Sequence, residues 1–262
     1  MDLNLIGRRA LVCGSSQGIG RACAVELALL GCGVTLLARN RESLNVVRDT
    51  LDTGRGQNHY VVVADFSDPD TVRASAEKLV ADTGPIEILV NNSGGPPPGL
   101  ALEADISAYM DAINQHLVTF QHLVQVLVPG MKERGYGRIL NVISTSVKQP
   151  IPGLGVSNTV RGAVASWAKT LAGELGPYGI TVNNVLPGAT NTRRLHTVMD
   201  MKARRRGISS EELAREDQSS IPLRRFGEPA EFAAALAFLA SPAGSYITGI
   251  NLPVDGGRTS TL

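Results

Sequence analysis

The sequence predicts a single doubly wound α/β domain, with a central parallel sheet and helices on both faces. Strand-like and helix-like patterns alternate from one end of the chain to the other. Strand-like runs such as Val34–Ala38 are largely apolar, as expected for strands buried on both faces. A Gly-rich turn, Cys13-Gly14-Ser15-Ser16-Gln17-Gly18-Ile19-Gly20, stands at the first strand–helix junction. Such alternation implies parallel strands joined by right-handed crossovers.

Arg9 to Cys13 is the first apolar run and ends in that turn. Gly18 to Leu30 has helical spacing, with Ala22, Val25, Ala28 and Leu29 on one face, and Gly31 and Gly33 stop it. Val34 to Ala38 is a continuous apolar strand, followed by a helix over Glu42–Leu51 and a strand over His59–Ala64. Asp68 is an N-cap and Pro69 the first helical residue of the next helix. Ile86 to Val90 is a fourth strand. A Pro- and Gly-rich loop after Gly94 precedes a long helix from Ile106 to Arg134, which Pro129 is expected to kink or divide near its end. Arg138–Ile143, Thr181–Leu186 and Ile250–Val254 are the remaining strands, and Val156–Leu175 and Pro229–Leu239 the remaining helices. Pro187 to Ile221 is polar, Arg-rich and weakly periodic. The expected organisation is one domain over 1–262, with 190–221 as a mobile insertion.

A chain of 262 residues with 43% apolar content can bury a sizeable core. The net charge of +1 gives no case for nucleic acid or an anionic membrane as partner. No apolar run reaches the roughly 18 residues of a membrane span. Met1 to Gly7 carries neither a basic region nor an apolar signal core, which predicts a cytoplasmic protein. Cys13, Cys23 and Cys32 have no metal-ligand spacing and read as buried structural thiols; no metal is expected.

The Gly-rich turn suits a pyrophosphate. Glycine permits tight turning and close backbone approach, and the helix behind it offers free N–H groups and a positive dipole end. Its Gly-x-x-x-Gly-x-Gly spacing differs from the commoner dinucleotide fingerprint. The second strand ends in Leu37-Ala38-Arg39-Asn40-Arg41, with no acid to accept from a ribose 2′-hydroxyl. Arg39, with Ser15 and Asn40, fits a 2′-phosphate instead, which favours NADP(H) over NAD(H).

Taken together, Gly14, Gly18 and Gly20, the Asn91-Asn92-Ser93-Gly94 run, Ser144 and Pro187-Gly188 stand in the order and spacing of the short-chain dehydrogenase/reductase family. The chain resembles that family over nearly its whole length, most closely the 3-oxoacyl-acyl-carrier-protein reductase branch, as an atypical member. The resemblance implies an NAD(P)-binding Rossmann domain. It implies cofactor contacts from Gly14, Ser15, Ser16, Gly18, Ile19 and Gly20 in the turn, and from Arg39 after the second strand. Asp65 and Phe66 follow the third strand, where the family contacts adenine. Asn91, Ser93 and Gly94 follow the fourth, and Pro187, Gly188 and Thr192 match the segment that holds the nicotinamide carboxamide. The segment 190–221 becomes a substrate lid. The long helices over 106–134 and 156–175 become a dimerisation surface, giving a homodimer or homotetramer.

In the family, a Ser polarises the substrate carbonyl and a Tyr gives the proton. A Lys lowers the Tyr pKa and binds the nicotinamide ribose, and an Asn holds a water that links to the Lys. Ser144 and Asn114 match the Ser and the Asn. Thirteen positions after Ser144, where the family has its Tyr, stands Ser157, and Arg161 stands where it has Lys. A Ser hydroxyl lies roughly 4 Å nearer its own Cα than a Tyr hydroxyl, and its pKa is far above the Tyr value of about 10. Arg161 can bind ribose hydroxyls and supply charge but cannot lose a proton. The candidate substitutes are Lys148, four residues past Ser144, a bound water, and His196. On an ideal helix His116 and Tyr109 point away if Asn114 faces the site. Arg193, Arg194, Arg204, Arg205 and Arg206 fall in the substrate-covering region and could meet a carboxylate or phosphate. Two functions fit: an NADP(H)-dependent oxidoreductase acting on a small-molecule or acyl-thioester carbonyl with an altered proton donor, or an NADP(H)-binding sensor or partner subunit with little catalysis.

Overall fold

A computed structural model describes residues 1–261 of the chain. In chain order the elements are β1 (Arg9–Cys13), α1 (Gly18–Leu29), β2 (Gly33–Ala38), α2 (Arg41–Arg48), β3 (Tyr60–Val63), α3 (Pro69–Thr83) and β4 (Ile88–Asn91). Then come α4 (Ile106–Ile113), a π-helical segment (Asn114–Val118), α5 (Thr119–Arg134), β5 (Gly137–Val142), α6 (Gly155–Leu175) and β6 (Ile180–Pro187). The chain closes with α7 (Arg193–Arg206), α8 (Ser210–Ser219), α9 (Pro229–Ala240) and β7 (Asn251–Val254). The seven strands form one sheet in the order β3-β2-β1-β4-β5-β6-β7, and every pairing is parallel. Strand order reverses between β1 and β4, and ligands of open α/β sheets bind at such a reversal, outside the carboxyl ends of the strands.

Alternate residues of each strand feed two cores, as the two-residue period of a strand requires. Ala10 and Val12 of β1 pack with α1, α2 and α9, while Leu11 and Cys13 pack with α3, α5 and α6. The face of α1 differs from the expected one. It buries Gly20, Cys23, Ala24, Leu27 and Ala28, whereas Leu29 is largely exposed. A helix so rich in small and apolar residues carries too weak an asymmetry for sequence spacing to fix its rotation. All three cysteines are free and buried, and burial pushes their thiols far above the usual range. Asp68 caps α3 by accepting from the Thr71 N–H at 3.1 Å, with Pro69 in the first turn, as expected.

Two other expectations meet the structure. Of the two outcomes expected at Pro129, division does not occur: α5 is one continuous helix through that residue. Pro129 and Gln125, whose carbonyl it leaves without a donor, are both exposed, so water can satisfy that oxygen. The long helix is interrupted instead at Asn114–Val118, where backbone bonds reach one residue further than in an α-helix. The weakly periodic segment 190–221 holds α7 and α8, which share a small apolar core of Met199, Ala203 and Leu213 with Leu195, Ile208 and Phe226. The polar majority of those helices masked their periodicity. No helix among the described residues is long and apolar enough to cross a membrane.

The sheet's second half carries a buried ladder of asparagines. Asn91, Asn141, Asn184 and Asn251 stand in register on β4, β5, β6 and β7. The Asn91 amide donates to Asn141 at 2.8 Å, Asn141 to Asn184 at 2.9 Å, and Asn184 to Asn251 at 2.8 Å. Shifting any of these strands by one residue would break the chain and move its apolar side chains to the wrong face. Truncating Asn141 leaves a buried donor on Asn91 and a buried acceptor on Asn184, each costing about 1–3 kcal/mol. Asn141→Ala is therefore expected to destabilise the fold by about 3 kcal/mol, read as a lower denaturation midpoint at unchanged slope; a shift below about 1 kcal/mol would show the ladder to be energetically idle.

Candidate active site

The glycines at the β1–α1 junction make a cradle that no side chain could enter. Gly14 and Gly18 take positive φ, 59° and 57°. A Cβ on Gly20 would lie 2.3 Å from the Gly14 carbonyl oxygen, and one on Gly14 would lie 2.7 Å from the Asn92 side chain. Asn92 holds this turn from the neighbouring strand end, donating to the carbonyls of Cys13 and Gly14 at 3.2 Å each.

Above the cradle lies a cleft of about 410 Å³. Nine of the expected cofactor residues line it: Gly14, Ser16, Gly18, Ile19, Arg39, Phe66, Ser93, Gly94 and Thr192. Thr192 reaches the glycine turn from the far side of the sheet while capping α7 through Leu195 N–H at 3.3 Å. Phe66 stacks edge-on with Phe120, ring centres 6.4 Å apart.

Of the other expected residues Asn40 also lines the cleft, and the rest stand back from it. Ser15 is fully buried beneath it, its hydroxyl without a protein partner. Asn40 spends its side-chain oxygen capping α2, accepting from Ser43 N–H at 2.7 Å. Arg39 stands at the rim with Asn40 beside it, while Ser15 lies buried. It faces Asp65 loosely at 3.9 Å, with both side chains substantially exposed. Gly20 and Asn91 support the cleft from below, through close packing and the ladder. Gly188 serves the β6–β7 contact, where a Cβ would meet Asp255 at 2.6 Å, and Pro187 ends β6 beside it. Gln17, Ala38, Ala64, Asn92, Gln115, Arg193 and Arg194 line the cleft without having been singled out as cofactor residues. Asn92 was legible from the motif it shares with Asn91. Gln115 was not, because only the π-helical segment turns it toward the cleft.

The second group of site residues gathers at the end of β5. Ser144 follows that strand and caps the turn Thr145–Val147, accepting from Ser146 N–H at 3.0 Å. Helix α6 packs against this turn and against the π-helical segment, so the elements bearing Ser144, Asn114, Ser157 and Arg161 meet. Asn114 and Ser157 are half-buried. Arg161 is 7% exposed and donates to the Val142 carbonyl at 2.9 Å. Burial first, then the neighbouring Arg194, bring its pKa down to about 10, so it remains a cation near neutrality.

His116 corrects the ideal-helix expectation. It lies in the π-helical segment, and its ring turns inward. It is fully buried, with Nδ1 2.7 Å from the Ser93 hydroxyl at the cleft wall. Burial, reinforced by Arg161 and Arg194, drives its pKa down to about 2, so it is neutral. Tyr109 does lie aside, its hydroxyl 3.4 Å from the Ala101 carbonyl. His196 is exposed and tied to Asn191 at 2.8 Å. Lys148, half-buried, closes the Ser144-capped turn. No cluster of metal-ligating side chains occurs among the described residues.

Residues 14–259 match the family described as enoyl-(acyl carrier protein) reductase. The chain belongs to the short-chain dehydrogenase/reductase family. It is 30% identical to the NADPH-dependent reductase BacG of Bacillus subtilis over 97% of this chain and 99% of that protein. It is 33% identical to the 3-oxoacyl-[acyl-carrier-protein] reductase FabG of Haemophilus influenzae over 96% and 98%. Among solved structures, the L-sorbose reductase of Gluconobacter frateurii, complexed with NADPH and L-sorbose, superposes with a TM-score of 0.93 at 30% identity, all of both chains being covered. The fold of this short-chain dehydrogenase/reductase is thus the family fold, and it is an oxidoreductase by membership.

The buried neutral imidazole has a consequence for acid stability. Its folded pKa lies below the ordinary unfolded value, so its contribution is whole above about pH 6.5 and falls as pH drops, because the unfolded chain then binds a proton that the folded one refuses. Between pH 7 and pH 5 the parent is expected to lose about 2 kcal/mol more stability than His116→Gln, by denaturant titration at both values; equal losses would contradict a neutral, inaccessible imidazole.

Proposed function

We propose that the protein is an NADP(H)-dependent oxidoreductase acting on a carbonyl/alcohol substrate, similar to the 3-oxoacyl reductases, with an altered proton donor. The observation that carries this reading is continuity between the two halves of the site. The segment Ser93-Gly94-Gly95 leaves the cleft wall and runs to Arg161, a Cβ on Gly95 lying 3.7 Å from its Nη2, while Nη1 of Arg161 holds the strand end two residues before Ser144. A dinucleotide suits the cleft because the glycine cradle leaves backbone, not side chain, at the α1 N-terminus. Its preference for NADP(H) rests on Arg39 at the rim and on the absence of an acid at the end of β2. The NADPH dependence of BacG and of the sorbose reductase supports the same choice.

Bound there, the nicotinamide supplies or accepts the hydride at the carbonyl carbon. Ser144 donates a hydrogen bond to the carbonyl oxygen. Arg161, cationic and held in a dry setting, stabilises the negative charge developing on that oxygen without passing on a proton. Ser157 stands one turn before Arg161 in place of the family's Tyr. Its short side chain leaves room for a water that delivers the proton to the alkoxide, so a ketone, a hydride and a proton become the alcohol. α7 and α8 serve as the substrate lid. The exposed apolar side chains of Leu102, Ile106 and Met110 support assembly as a homodimer or homotetramer. A second reading, an NADP(H)-binding sensor or partner subunit with little turnover, draws on one observation: Ser157 provides no group that titrates near neutrality.

Two experiments test these readings. Arg39→Ala is expected to raise the NADPH dissociation constant about tenfold and leave that for NADH nearly unchanged, by fluorescence titration; an unchanged NADPH-to-NADH ratio would remove the cofactor assignment. In NADPH oxidation assays over ketones and 3-oxoacyl thioesters, Ser144→Ala should lower kcat about 10²–10³-fold, and Ser157→Tyr combined with Arg161→Lys should raise it about 10²–10⁴-fold. Tight NADPH binding with no turnover on any substrate would transfer the protein to the second reading.

A further inference from the structure

The charge around Gly95 is unbalanced. A Cβ placed on Gly95 would lie 2.9 Å from Nη2 of Arg194 and 3.7 Å from Nη2 of Arg161, so two guanidinium tips converge on one small space that only glycine leaves open. Arg161 is buried and has five N–H donors, of which one is engaged, by the neutral carbonyl of Val142. Arg194 reaches only the Gly95 carbonyl, at 3.4 Å. Among the described residues neither makes an ion pair, although Arg39, Arg206 and Arg225 each face a carboxylate. His116 stands close enough for both arginines to depress its pKa, and being neutral it adds no countercharge.

The placement of Arg194 sharpens the imbalance. It and Arg193 occupy the first turn of α7, which carries no acid, where the helix dipole opposes a cation. A buried cation without a partner, here Arg161, is costly, and the approach of a second, exposed one adds repulsion, unless an anion completes the group. Two planar forks with free N–H groups match the two oxygens of one carboxylate.

We propose that Arg161 and Arg194, meeting across Gly95, form an anion seat that takes a carboxylate of the substrate, so that the preferred substrate is an oxo acid or hydroxy acid rather than a neutral ketone. The proposal rests on the oxidoreductase reading for the substrate's other end. The seat lies between the cofactor cleft, which Arg194 lines, and the end of β5 that leads to Ser144, which Arg161 holds. An anion there would sit beside the carbonyl being reduced. A phosphate of the cofactor has the same chemistry and could reach Arg194 from the cleft. Arg161 does not line that cleft, which favours the substrate as the source.

The test uses the full chain, NADPH, and a series of 2-, 3- and 4-oxo acids, each paired with its methyl ester. For the best pair, kcat/KM is expected to favour the acid at least tenfold. Arg194 is exposed, so Arg194→Gln should fold, and it should reduce that acid-to-ester ratio about tenfold while changing the NADPH dissociation constant much less. Equal use of acids and esters throughout would overturn the seat. So would an Arg194→Gln protein whose NADPH affinity falls as far as its use of the acid, which assigns the seat to the cofactor's phosphate. If nothing is turned over, calorimetric titration of the oxo acids into NADPH-loaded protein separates the two ideas. Binding that Arg194→Gln abolishes would uphold the seat and remove the oxidoreductase reading; no binding would overturn the seat itself.

Discussion

The asparagine ladder across β4, β5, β6 and β7 is the constraint on which the rest of the site depends. Parallel strands have evenly spaced backbone bonds, so the backbone alone distinguishes one register from the next only weakly. The three amide–amide bonds, each 2.8–2.9 Å, make one register much better than its neighbours. The ladder crosses β4 and β5 at their ends, β6 three residues before its end and β7 at its first residue. Asn91 is the last residue of β4 and is followed by Asn92 and the cleft wall at Ser93 and Gly94. Asn141 precedes Ser144 by one turn of chain. Asn184 lies three residues before Pro187. Fixing these four side chains thereby fixes the heights at which the functional loops begin.

From that base, glycine and charge shape the site in complementary ways. At the β1–α1 turn, missing side chains let backbone N–H groups come forward, with Asn92 tying the turn to the next strand. At Gly95, the missing side chain lets two guanidinium groups converge. The first arrangement suits a pyrophosphate on a helix N-terminus. The second leaves the buried charge of Arg161 poorly screened, with the exposed Arg194 beside it. Ser144, neutral and anchored to its own turn, follows the strand end that Arg161 holds.

The π-helical segment links the two. An extra residue in the helical turn sets Gln115 on the cleft and His116 against Ser93, side by side in sequence and both turned to the site. Such bulges occur often at functional sites because they aim side chains that a regular helix would send elsewhere. Pro129, by contrast, does not divide α5. A missing donor on the solvent side is tolerated, whereas the π turn answers to packing on the buried side.

The sequence by itself determined the α/β alternation, the position of nearly every strand, the cap of α3 at Asp68-Pro69, and the glycine turn after β1. These depend on neighbours within a few residues, so they can be read locally. It also displayed Ser144, Ser157 and Arg161 by spacing. Only the tertiary structure decided which face α1 buries, how α7 and α8 fold, where the long helix breaks, and that His116 faces the cleft. It alone joined Asn91 to Asn141, Asn184 and Asn251, residues separated by 50, 43 and 67 positions at successive bonds. It alone brought Arg161 and Arg194 to the same glycine. The physical reason is the same in each case. Register, helix rotation and the convergence of charge are set by contacts between distant segments, whose energies decide among arrangements that local propensity leaves nearly equal.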